Sequence, residues 1–442
     1  MPHDFARLGR IWATLLVVAV VSPRPAHAGD WPSWRGPQHN GHAAATTFPE
    51  AWPIGRPAPT WQAPLAAGWS SPIVAAGRVF ATDRDGALER TAAFDAATGK
   101  LLWQAASAVD FDPHEVGRRH GNGPKATPVY AEGRVYALGI AGMLHCYNAV
   151  DGTVVWKHNL PAEFAEPRPL PEGRAYVEGE DCVVVPIGAG QGAPVPLFGY
   201  TGSPVVAEGL LITAVGGKRG GTIMAFDAAT GAVVWKALDE NPSYSSPVVA
   251  DIGGVWQVVV ATGPQLVGLE IKTGKLLWSV PYQNQYDETI GTPVVAGDMV
   301  LLSAVGRPLS AWRVEAIGGA FQAREIWQVE DLSSYLSSVV VVADHVYGMN
   351  DGGEWVCVKL TDGTIAWRGG NHGYYSTPVV AGDRLIGLNE KGTLAILAAT
   401  PAGYQELAQN QLVVEPTWTS PAVVGNRLYI RSRAGLACFE IK

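Results

Sequence analysis

The chain has 442 residues, of which 47% are hydrophobic and 16% charged, with Gly 52, Pro 32, Trp 16 and four cysteines. This composition excludes a disordered chain, and so few cysteines exclude a disulfide scaffold. A net charge of −8 speaks against a general binder of nucleic acid or of an anionic membrane surface.

The first element is a targeting segment. Arg7 and Arg10 precede an apolar run from Ile11 to Val21, followed by Ala26-His27-Ala28. A basic start, a short apolar core and small residues before a cleavage point read as a secretory leader, residues 1–28, cut after Ala28. The run has 11 residues, whereas a membrane span needs about 20. No cysteine follows the cleavage point, so no lipid anchor is expected there. The mature chain is therefore expected to be periplasmic or secreted, without a transmembrane segment. Residues 29–58 are rich in proline and aromatic residues but carry no repeat. Trp31, Trp34 and Trp52 are expected to pack against the body that follows, with a partner-binding arm as the alternative.

From residue 59 the chain repeats. A small hydroxyl residue, then Pro, then β-branched residues appears at Ser71-Pro72, Thr127-Pro128, Ser203-Pro204, Ser246-Pro247, Thr292-Pro293, Thr377-Pro378 and Ser420-Pro421. Ser338-Val339 is a copy without the proline. The mean spacing is about 50 residues, within the range of propeller blades. A second phrase follows most copies: an acidic or amide residue (Lys359 in the sixth unit), then Thr-Gly or Asp-Gly, then Trp four residues after the Gly. It ends on Trp103, Trp156, Trp235, Trp278 and Trp367, and in stretched form on Trp327. Each unit reads as four short strands, with proline tolerated at the start of the first and Asp and Gly supplying turn chemistry. No segment has sustained helical periodicity. The expected fold is all-β, an eight-bladed β-propeller of four-stranded antiparallel blades over residues 59–442. The eighth unit stops after three strands. Its missing strand, with its Trp, stands at the other end as Thr60-Trp61-Gln62, so the N-terminal strand is expected to complete the last blade and close the ring. The recurrent Trp is expected to cover the gap to the next blade.

These phrases resemble the quinoprotein-type, or PQQ-like, eight-bladed propeller. The resemblance covers residues 61–442 and implies a fold more than a function. It takes in PQQ-dependent dehydrogenases and non-enzymatic propellers such as the outer-membrane protein assembly lipoprotein. The opening Asp30-Trp31-Pro32-Ser33-Trp34-Arg35-Gly36-Pro37 is similar to the start of many secreted PQQ-like repeat proteins. Large PQQ alcohol dehydrogenases carry two adjacent cysteines. Here Cys146, Cys182, Cys357 and Cys438 stand apart, and three of them sit in third strands where other units have alanine. They read as small core residues. No Cys-x-x-Cys-His haem motif, phosphate loop, His-Glu-x-x-His or nucleophile elbow is present. Asp83, Asp85, Glu89, Asp351 and Glu354 are loop carboxylates too sparse for a calcium loop, and Asp83-Arg84-Asp85-Gly86 reads as a turn. No catalytic residue, metal or resident cofactor is expected.

Function is therefore sought at the channel mouth, where the loops enter the first strands. These loops carry Trp69, Tyr200, Tyr244, Tyr335, Tyr374, Tyr375 and Trp418. Lys125 shares with Trp69, Tyr244, Tyr375 and Trp418 the place three residues before the strand proline. The long loop into the second unit adds His114, Glu115, Arg118, Arg119 and His120, and His372 precedes Tyr374. The expected binding rim is Trp69, Lys125, Tyr200, Tyr244, Tyr335, Tyr375 and Trp418 with Arg119, His120 and His372. Residues 160–200 form a Pro- and Gly-rich insertion that either overlies this rim or lengthens the second blade. The leading expectation is a monomeric, non-catalytic exported propeller that binds or scaffolds a protein or peptide of the cell envelope, with no nucleic-acid partner. The alternatives are a dehydrogenase of alcohols or sugars using PQQ and Ca²⁺, and a carbohydrate-binding propeller.

Overall fold

The computed structural model describes residues 29–44, 57–113, 115–164, 195–217, 221–284, 289–334, 336–373, 375–413 and 416–441. The expected leader, Trp52, Cys182 and most of the 160–200 insertion lie outside these residues. Eight four-stranded antiparallel sheets form the blades of a propeller, as the repeats imply. Blade 1 runs through Ile73–Ala75, Arg78–Asp85, Leu88–Asp95 and Leu101–Ala108, and the next six follow the same consecutive order. Blade 8 takes three strands from the C-terminus and its outer strand, Trp61–Ala63, from the N-terminus. Trp61 lies opposite Cys438 in that pairing, so closure occurs where the truncated eighth repeat requires it. The short first strands line the centre and lie against one another around the ring, blade 8 against blade 1.

Local chemistry explains the strand breaks. The first turn of a blade, as at Ala76-Gly77, Glu132-Gly133 and Glu208-Gly209, has both residues at positive φ. That is the two-residue hairpin whose twist matches the strands it joins. At the last turn of blade 1 the Asp95 carboxylate accepts bonds from the Ala97 and Thr98 N–H groups and the Thr98 hydroxyl. These bonds hold the Asp95 pKa below the usual carboxylate range. Asp83 is a correction to the sequence reading. It lies inside the strand Arg78–Asp85, buried and paired with Arg90, because the turn itself comes three residues later, at Gly86-Ala87.

The core lies between blades. One cluster joins Phe80, Ala93 and Trp103 of blade 1 to Tyr130, Val135 and Tyr147 of blade 2. In six of the eight blades the Trp of the outer strand reaches across this seam. Trp103 Nε1 donates to the Ala149 carbonyl at 3.0 Å, and Trp61, Trp156, Trp235, Trp327 and Trp367 make the equivalent bond to the following blade. The ring lies on the turn glycine there. A Cβ at Gly152, itself at φ 75°, would stand 2.5 Å from Trp103. Trp278 differs: its N–H stays within blade 4, on Gln257 Oε1 at 2.7 Å. Blade 5, its neighbour, has the stretched repeat and offers Gly318-Gly319 at the tip of a long hairpin instead. Cys146, Cys357 and Cys438 are buried free thiols facing Tyr136, Tyr347 and Tyr429 on the adjacent strand. Burial pushes their pKa values up to between about 11 and about 12, so they remain unreactive thiols.

The N-terminal segment fills one part of the channel. Trp31 bridges Val74, Pro32 accepts the Tyr130 N–H, and His42 bridges Val380. Between these, Trp34 Nε1 donates to Thr292 Oγ1 at 2.9 Å, and the buried Arg35 guanidinium donates to the Val339 carbonyl at 2.6 Å. Residues 30–43 thus bond to blades 1, 2, 5, 6 and 7 and satisfy inner-strand backbone that would otherwise face an open channel.

Candidate functional site

The residues that precede each inner strand form two tiers. Counted back from the strand proline (Val339 in blade 6), the residues at one and three places in blades 1 to 6, with Trp418 of blade 8, line a cavity of about 170 Å³. Those at two places are buried between blades and small, as with Ser70, Ala126, Ser245 and Ser337. The alternation of extended backbone accounts for this pattern. Two of these interblade places need glycine: a Cβ at Gly202 would lie 2.7 Å from the Ser245 carbonyl, and one at Gly291 2.4 Å from that of Ser303.

The inner tier is a hydroxyl belt of Ser71, Thr127, Ser203, Ser246, Thr292 and Ser338. Each hydroxyl oxygen accepts a bond from elsewhere. Ser71 Oγ takes the Ser420 N–H, Thr127 Oγ1 that of Ser71, Ser203 Oγ that of Thr127, and Ser246 Oγ that of Ser203. Ser338 Oγ takes the Thr292 N–H, and Thr292 Oγ1 takes the Trp34 indole. Trp34 itself lines the cavity.

The outer tier is asymmetric. Ile290 and Leu336 make an aliphatic side, while Trp418, Trp69, Lys125, Thr201 and Tyr244 make the rest. Trp69 and Trp418 lie 4.9 Å apart by ring centroid, and His120 stands 5.3 Å from Trp418 and edge-on to Phe198 at 5.5 Å. Phe198 meets Tyr244 at 5.4 Å, and Tyr375 meets Trp418 edge-on at 5.6 Å. The indole of Trp69 donates to the His120 carbonyl, which ties the long loop to the mouth. All these rings are half-buried, so solvent still reaches them.

Charge at the mouth is one-sided. Lys125 Nζ donates to the Phe198 carbonyl at 2.9 Å, and loss of solvent pulls its pKa down to about 8. The pKa of His120 falls to about 4 through loss of solvent and the nearby Arg119 and Lys125 charges, so its ring is neutral at physiological pH. Among the described residues no carboxylate lines the cavity.

Of the residues expected at the rim, Trp69, Lys125, Tyr244, Trp418 and His120 line this cavity, and Tyr375 packs on Trp418. Tyr335 and Tyr374 lie outside the described residues, as does His114. Arg119 is exposed beside His120 and does not line the cavity. Tyr200 stands elsewhere: it is buried, with its hydroxyl on the Val215 carbonyl. It sits four places before its proline, one residue out of the channel-facing register, and Thr201 takes the place. His372 is also displaced, buried in blade 7 between Tyr404, Glu406 and Gln409. Sequence reasoning missed the belt as a functional surface, although the Ser-Pro phrase spelled it out. It also missed Phe198, which arrives from the insertion, and the place of Trp34 in the cavity wall.

The lining tests the fit of a quinone cofactor. Trp69, Trp418 and Lys125 would suit a flat anionic ring. A calcium ion beside it would need clustered oxygen ligands. Among the described residues the lining has no carboxylate, and no group of three or more His, Cys, Asp or Glu side chains could hold a metal. The residues present do not fit a calcium-held quinone.

Comparison with known proteins adds ancestry. The chain matches the model of the family described as outer membrane protein assembly factor BamB over residues 51–110, 89–195 and 219–442. It is 23% identical to the outer membrane protein assembly factor BamB of Shewanella oneidensis over 380 residues, 80% of this chain and 90% of that one. It is 30% identical to the dehydrogenase subunit of a quinone alcohol dehydrogenase of Gluconacetobacter polyoxogenes, over 189 residues, 41% of this chain and 21% of that one. The crystal structure of BamB from Moraxella catarrhalis superposes with a TM-score of 0.56 at 17% identity, covering 84% of this chain and 92% of the other. That likeness speaks for the fold.

Proposed function

We propose that this chain, which belongs to the family described as outer membrane protein assembly factor BamB, is an exported, non-catalytic propeller that binds a protein partner in outer membrane protein assembly through its aromatic channel mouth. The observation that carries this reading is the arc of half-buried rings at one mouth, Trp69, His120, Phe198, Tyr244 and Trp418, around a lining that holds no acid–base pair among the described residues. Aromatic residues that join apolar area to a polar handle are the usual anchors of protein interfaces. The three described cysteines are buried, so the mouth has no nucleophilic thiol from them either. The relationship to the Shewanella assembly factor spans most of both chains, whereas the dehydrogenase likeness spans 21% of that enzyme. The basic and apolar pattern of residues 1–28 supports export.

The test is capture from an envelope extract by the mature protein and by its Tyr244→Ala and Trp418→Ala variants. The wild type is expected to retain a protein of outer membrane assembly, and each variant to retain about tenfold less while melting at a similar temperature. Equal retention by all three would refute the assignment of the mouth. The dehydrogenase reading has its own test. PQQ with Ca²⁺ at 100 times a dissociation constant would stabilise the protein by about 2.7 kcal/mol. No shift is expected.

A further inference from the structure

We infer that the chamber receives a carboxylate of the partner peptide, seated on Lys125 and the hydroxyl belt, with an apolar neighbour of that carboxylate held between Trp69, Phe198 and Trp418. This rests on the reading that the mouth binds a peptide, and it specifies the chemistry recognised.

In each of the six belt residues the hydroxyl oxygen already accepts an N–H. What remains for the chamber is the O–H proton, for which the described residues supply no acceptor. Lys125 has three N–H donors and, among the described residues, one acceptor, the Phe198 carbonyl. Among the described residues the lining therefore presents donors and a single positive charge, with no acidic side chain to neutralise them. Such a surface is matched by an anion that accepts several bonds at once, and charge-assisted bonds of this kind are the stronger ones. A partly desolvated lysine with no counterion among the described residues is held at a cost in stability. Such costs concentrate at functional sites. The rings beside it require that the anion be borne on an apolar group, which a residue at a chain end or next to an acidic residue supplies.

Three probes test this on the full mature protein, followed by tryptophan fluorescence. They are N-acetyl-phenylalanine, its amide, and N-acetyl-glutamyl-phenylalanine amide. The first carries a chain-end carboxylate, the second none, the third a side-chain carboxylate. The wild type is expected to bind at least one acid about tenfold or more tightly than the neutral amide. Lys125→Arg should keep that preference and Lys125→Met should lose it, with the melting temperature recorded for both. Which acid wins tells the chain end from the side chain as the source. Equal binding of acid and amide to the wild type, or no saturable binding of any probe, would overturn the carboxylate seat. Partner capture by wild type and Trp418→Ala, run alongside, separates the two failures. Capture that still depends on Trp418 leaves the peptide-binding mouth standing and removes only the carboxylate, whereas capture indifferent to Trp418 removes both.

Discussion

Lys125 occupies a place where blades 8, 1 and 4 put Trp418, Trp69 and Tyr244, and its ammonium is what distinguishes the chamber from a plain aromatic funnel. Its pKa of about 8 has a consequence for binding. As pH rises through about 8, the free protein loses the charge that holds the carboxylate. His120, already neutral, contributes nothing over that range, and among the described residues no carboxylate in the lining opposes the change. Acid binding should therefore weaken above about pH 8 in the wild type and persist to higher pH in Lys125→Arg, read by fluorescence titration at several pH values. Trp103 illustrates the structural side of the same scale. Its ring packs on Gly152 and its N–H satisfies the Ala149 carbonyl. Trp103→Ala is expected to cost about 3–5 kcal/mol of stability, measured by denaturant unfolding. The residue scale is also where reading the sequence failed. Tyr200 and Thr201 are adjacent, yet only one faces the channel, because period-two alternation separates neighbours. His372 preceded a rim tyrosine in sequence and still ended in blade 7, since its ring found Tyr404 and Glu406.

The repeating elements were legible because each carries its own punctuation. The strand proline, the Gly turn and the Trp after Thr-Gly mark strand starts, hairpins and seams by local chemistry alone. The N-terminal segment has no such punctuation, and its path through the channel depends on bonds to residues far along the chain, Thr292, Val339 and Val380. Trp34 consequently belongs to the chamber wall although nothing near it in sequence says so. A chain beginning at Pro57 would leave the inner strands at Val74 and Val380 without these bridges. It is expected to melt at a lower temperature and to lose probe binding in the chamber, even with every residue of the outer tier retained. Unchanged melting and binding would show that the segment is dispensable.

At the scale of the whole molecule, closure by Trp61–Ala63 joins the two ends of the chain, and burial between blades sets how the ring responds to acid. His39, His120 and His145 have pKa values pulled down to about 4 by loss of solvent, and His42 is lowered too. Their folded-state values lie below the ordinary value of about 6.5. The unfolded chain therefore binds more protons than the folded one between about pH 6.5 and about pH 4, and stability falls as pH drops through that window. Glu89, raised by burial, acts in the opposite sense but is a single group. The melting temperature should decline progressively across this range.

The central claim is that the partner docks at the aromatic mouth. The measurement that meets it most directly is photo-crosslinking in intact cells, with the photoreactive residue placed either at Leu336, in the cavity wall, or at Val155, exposed on the outer strand of blade 2. A crosslink to a protein of outer membrane assembly from position 336 and none from position 155 is the expected result. A crosslink from position 155 alone would contradict the account and move the docking surface to the circumference of the propeller.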